Sequence, residues 1–144
     1  MNQEQSQMMG AFLWGKKADT KLLKSDLTEN QDSLLAECVW QNGNKHSRSF
    51  CFNKADKLVI EDDMATTSDS YATLVLHPAC QVKVENGKAV IQRGTITVCI
   101  ETNIEPTIEK CWYSEEYGKE KETHKLCYPL NDNKLKTTIW IEKY

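Results

Sequence analysis

The chain has 144 residues, 18 basic against 21 acidic side chains, 40% apolar and 8% aromatic content, and six cysteines. That length fits one domain able to bury a real core without the help of a metal. A formal net charge of -3 excludes nucleic acid as the default partner, because phosphate binding needs a concentrated basic surface, and no apolar run approaches the roughly 18 residues of a membrane-spanning helix.

The first residues, Met-Asn-Gln-Glu-Gln-Ser-Gln, are polar and lack the basic and apolar regions of a signal peptide. Residues 1–10 read as a flexible tail and 11–144 as a single β domain. Asp19 can cap a short helix over 19–27 with Leu23 and Leu27 on one face. From Leu34 onward the patterning is that of strands. Segments 34–40 and 47–52 flank a polar turn at 41–46, and 57–61 and 71–77 are further candidates. The acidic run Glu61-Asp62-Asp63 offers oxygen ligands, but the following residues lack the glycine and glutamate of a calcium loop. It reads as a solvated loop.

Residues 80–93 carry the clearest hairpin. Asn86-Gly87 suits a type I′ turn and would pair Val84 with Ala89 and Val82 with Ile91. In 95–101, Ile96, Val98 and Ile100 share one face, which leaves Cys99 on the polar side. Segments 107–114 and 124–129 flank a charged loop, and 135–143 ends the chain with Leu135, Thr137, Ile139 and Ile141 on one face. About nine short strands at this spacing predict an all-β fold, either an antiparallel sandwich or a small barrel.

The even cysteine count predicts a disulfide-braced domain in an oxidising, extracellular compartment. Neighbour-wise pairing gives Cys38–Cys51, Cys80–Cys99 and Cys111–Cys127. No C-x-x-C occurs. The pairs His77/Cys80 and His124/Cys127 would need turns to converge on zinc, so no metal is expected. Nucleophile-elbow, Walker and dinucleotide glycine patterns are absent, so neither a cofactor nor an enzymatic activity is expected.

The aromatic residues point elsewhere. Trp112, Tyr113 and Tyr117 sit at or beside the charged loop, with Lys119 and Lys121 next to them. Trp112 and Tyr113 are adjacent and must face opposite sides of a strand. Tyr and Trp are favoured interface anchors. The sequence therefore reads as a secreted, disulfide-stabilised β-domain that binds another extracellular or host protein without covalent chemistry, as an immune modulator, toxin or adhesin does. The alternative is a closed barrel that carries a small hydrophobic ligand, as in lipocalin-type folds.

Overall fold

The computed structural model describes residues 8–10, 13–67, 69–130 and 132–142. Residues 1–7 of the expected tail lie outside these, as does Tyr144. Among the described residues thirteen strands form and no helix does. They are β1 (Met8–Gly10), β2 (Leu13–Trp14), β3 (Asp19–Leu27), β4 (Gln31–Val39), β5 (Lys45–Asn53), β6 (Lys57–Ala65), β7 (Tyr71–Val75), β8 (Gln81–Glu85), β9 (Lys88–Arg93), β10 (Ile96–Thr102), β11 (Thr107–Glu116), β12 (Lys119–Pro129) and β13 (Lys134–Ile141).

All pairing is antiparallel. A large sheet runs β3-β4-β5-β6-β13-β10-β9-β8, a smaller one runs β11-β12-β7, and β1 pairs with β2. Alternation explains how the two larger sheets meet. Ala89, Ile91, Ile100 and Leu135 line one face of the large sheet, and Leu76, Leu126 and Tyr128 come from the small sheet's side; together they form the buried core. The fold is therefore an antiparallel β-sandwich. It is not a barrel, because β3 and β8 end the large sheet without closing on each other.

The Asn86-Gly87 hairpin has the expected register, with Val84 opposite Ala89 and Val82 opposite Ile91. Asn86 and Gly87 take φ of 51° and 76°, the left-handed pair that a type I′ turn requires. The helix expected over 19–27 is corrected. These residues form β3, which pairs with β4 from Asp19↔Val39 to Leu27↔Asp32 and shifts register between Leu22 and Lys24. The run 61–63 lies inside β6 and is not a loop.

The disulfide bracing is also corrected, since all six cysteines are free. Cys38 and Cys51 lie on neighbouring strands, but Cys38 faces His46 and Cys51 faces Ser33. They are five positions out of register, about 16 Å along the strand. Cys111 faces Thr123 and Cys127 faces Thr107, an offset of about 13 Å. A bridge needs Cα atoms roughly 4.4–6.8 Å apart. Cys80 packs against the core, whereas Cys99 alternates with the core residues Val98 and Ile100 and so points to the other face of its sheet. Cys99 is nevertheless buried, between Val90 and Trp140 on the neighbouring strands.

The small sheet leaves part of the large one open. On β3, β4 and β5, Leu22, Leu27, Leu34 and Phe52 are exposed, although Leu34 and Phe52 have the same parity as the core row. Leu27, Leu34, Phe50, Phe52 and Leu58 line an open apolar groove of 390 Å³ there.

Candidate functional site

The carboxylate of Asp62 is the organising group. Asp62 shares its strand parity with Ile60 and Met64, so it points to the apolar side of the sheet. Arg48 stands opposite it on β5 and Leu135 opposite it on β13. Leu135 is itself buried, and the Asp62 side chain is only 5% exposed. A bare carboxylate there would be costly. Two neighbours on β5 compensate. Arg48 Nε donates to Asp62 Oδ1 at 2.6 Å, and His46 Nε2 lies 2.6 Å from the same oxygen. Residues 46 and 48 both reach Asp62 because one is its direct cross-strand partner and the other is the diagonal one.

Burial alone would push the Asp62 carboxyl up, but hydrogen bonds from His46 and Arg48, with their charge, hold it below its ordinary value. The carboxylate is thus ionised and can only accept. It follows that His46 Nε2 carries a proton and donates it to Asp62, which leaves Nδ1 as the ring nitrogen free to meet a ligand. Among the described residues nothing bonds that Nδ1. The His46 side chain is 18% exposed and that of Arg48 is 41% exposed. The arrangement is a partly open imidazole, oriented by a buried carboxylate, with a guanidinium beside it. It can take up and return a proton.

The other histidine cluster is chemically closed. His77 follows β7, and its Nδ1 accepts the Ala79 N–H at 3.1 Å. Its Nε2 lies 3.2 Å from Glu115. The Tyr113 ring meets it edge-on with centroids 5.3 Å apart. With both nitrogens engaged, His77 ties the β11–β12 hairpin to the turn after β7. Lys121 bonds Glu115 at 2.9 Å and, with His77, holds that carboxyl below its ordinary value.

The residues that the sequence singled out for binding share this hairpin. Tyr117 at its tip is 98% exposed and Trp112 is 66% exposed. Trp112 and Tyr113 face opposite sides, Tyr113 being drawn onto His77. Lys119 pairs with Glu116 and Lys121 with Glu115. None of the five touches the Asp62 cluster. His77/Cys80 and His124/Cys127 do not converge either. Among the described residues no three His, Cys, Asp or Glu side chains could hold a metal ion.

On the reverse face of the same strands, Ser47, Ser49, Glu61, Asp63, Lys134 and Lys136 line a polar groove of 470 Å³. Lys136 pairs with Glu61 at 2.9 Å and Lys134 with Asp63 at 3.6 Å, so its charges cancel.

Sequence reading missed Arg48 and Asp62, and took His46 only as the end of a polar turn at 41–46 that could join a contact surface. The signal was present as parity. His46-x-Arg48-x-Phe50-x-Phe52 and Ile60-x-Asp62-x-Met64 each place polar groups in an apolar row. Assigning 41–46 to a turn and 61–63 to a loop concealed both.

The sequence matches the family described as heparinase II/III-like, C-terminal, over residues 1–142. No protein of curated function matches it. Among solved structures, a heparinase III with methylated lysines is similar with a TM-score of 0.72 at 17% identity, covering 90% of this chain and 22% of its own. Heparan sulfate lyase HepC from Pedobacter heparinus gives 0.74 at 14% identity, covering 87% and 22%. Another heparinase III gives 0.66 at 16%, covering 88% and 21%. The chain thus spans about a fifth of the length of these structures. At such identities the likeness carries the fold.

These matches correct the functional expectation. Neither the binding module of immune-modulator, toxin or adhesin type nor the lipocalin-like carrier survives a family match across the chain. The open sandwich removes the carrier's closed barrel as well. The expectation that no enzyme is involved falls for the same reason, since the matching family is described as heparinase II/III-like.

Proposed function

Because the chain belongs to the heparinase II/III-like, C-terminal family, we propose that it is the β-sandwich domain of a polysaccharide lyase acting on a uronate-bearing, heparan-sulfate-like chain. The observation that carries this reading is the family match across residues 1–142, supported by the shared fold of the heparan sulfate lyase and the heparinases.

A lyase breaks a glycosidic bond without water. A base removes the proton on the carbon next to the uronate carboxylate, and the electron pair moves into the carboxylate. That pair then returns to form a C=C bond as the neighbouring C–O bond breaks. The departing oxygen leaves with a proton.

His46 has the features this chemistry asks of a proton carrier. Its Nδ1 can take the carbon-bound proton and, as imidazolium, return it to the leaving oxygen. Asp62 is the positioning residue. It fixes the tautomer through Nε2 and stabilises the imidazolium once formed. Net charge of -3 and the many lysine–carboxylate pairs argue against this domain alone forming the polyanion channel.

The test uses the protein as its gene encodes it, with heparan sulfate as substrate and ultraviolet absorbance of the new double bond as readout. The wild type should give a steady rise, and His46→Ala should slow it about 10²–10⁴-fold. A fully active His46→Ala removes His46 from the chemistry. A wild type that produces no unsaturated ends from heparan sulfate or any other uronate polysaccharide overturns the lyase reading.

A further inference from the structure

Resting on that lyase reading, we propose that Arg48 recognises an acidic group of the sugar chain, its free Nη edge holding a carboxylate or sulfate beside His46. Arg48 is held from one side only. Asp62 bonds its Nε at 2.6 Å, which uses the back of the guanidinium. Among the described residues neither terminal nitrogen bonds a protein group, and the side chain is 41% exposed. Cζ lies 5.9 Å from the Phe50 ring centroid, which limits how the plane can turn. Ala36 stands opposite Arg48 on β4, so no polar cross-strand partner competes there.

A guanidinium fixed through Nε presents its two Nη groups as a fork, the geometry that matches a carboxylate or sulfate bidentately. Lysine cannot supply it, and this chain has only two arginines against sixteen lysines. The lysines that flank the same strands are spent in pairs with Glu37, Glu61 and Asp63.

The local charge also fits an anion. With His46 neutral, Arg48 and Asp62 cancel. When His46 gains a proton the cluster is positive by one, and an anionic group on Arg48 restores balance. If the group held is the uronate carboxylate, the fork meets the oxygens on which charge develops as the carbon-bound proton leaves, where preorganised donors help most.

The test compares wild type, Arg48→Gln and Arg48→Lys in the protein as its gene encodes it. Affinity is measured by titration calorimetry for heparan sulfate oligosaccharide, its carboxyl-reduced form and its desulfated form. Thermal melting checks folding. Arg48→Gln should weaken heparan sulfate binding about tenfold, with Arg48→Lys between the two. The loss should vanish against the carboxyl-reduced ligand if the fork holds a carboxylate, or against the desulfated ligand if it holds a sulfate.

Unchanged affinity in a folded Arg48→Gln overturns the proposal, and so does an equal loss against all three ligands. If Arg48→Gln does not fold, Arg48→Lys decides, and an Arg48→Lys that binds like wild type overturns the fork. Binding that depends on Arg48 in a wild type that cleaves nothing would refute the lyase reading alone.

Discussion

At the scale of residues, Asp62 shows how a sandwich tolerates a buried charge. One oxygen takes both Arg48 and His46, and their two bonds outweigh the cost of burial. A carboxyl held below its ordinary 3.8 adds stability at all higher pH. That contribution is lost as pH falls through the lowered value, that is, in the range below about 4. Asp62→Asn forfeits it everywhere. We expect Asp62→Asn to cost about 1–3 kcal/mol near neutral pH, a figure kept low because Arg48 is well exposed. The gap to wild type should close as denaturant melts are taken below about pH 4. An equal gap at about pH 7 and about pH 3 would show that Asp62 acts by packing instead of by charge.

At the scale of elements, what could be read from the sequence depended on how local the cause was. The β8–β9 hairpin was legible because two adjacent residues set it, Asn86 and Gly87 at positive φ. A Cβ at Gly87 would meet nothing within 4 Å, so Gly87→Ala should cost only the left-handed backbone penalty of about 1 kcal/mol. Chemical denaturation reads this directly, and a loss of several kcal/mol would mean that the turn does more than reverse the chain.

Strand β3 was illegible for the opposite reason. Its Leu22-Leu23 doublet and flanking lysines suit a helix, and only the pairing with β4, with its register shift beside Leu23, makes it a strand. Cysteine pairing failed similarly. Proximity in sequence suggested Cys38 with Cys51, but the turn at 40–44 sets a register that faces Cys38 to His46. The five residues that the aromatic and charge pattern singled out, Trp112, Tyr113, Tyr117, Lys119 and Lys121, share the β11–β12 hairpin. The Asp62 cluster needed the β5–β6 register, which no short motif announces.

At the scale of the whole molecule, two unequal sheets share one core. The large sheet continues past it, carrying Leu22, Leu27, Leu34 and Phe52 into the open. The cluster of His46, Arg48 and Asp62 sits on the same side of that sheet, next to buried Leu135. Free thiols remove the sulfur argument for an oxidising compartment, and family membership shifts the functional reading from adhesion to polysaccharide cleavage. The most direct measurement is the mass of the products formed from a defined heparan sulfate oligosaccharide by the protein as its gene encodes it. Elimination yields two fragments whose masses sum to that of the substrate, one of them bearing an unsaturated uronate. Fragments heavier in total by one water, or an oligosaccharide left whole, would contradict it.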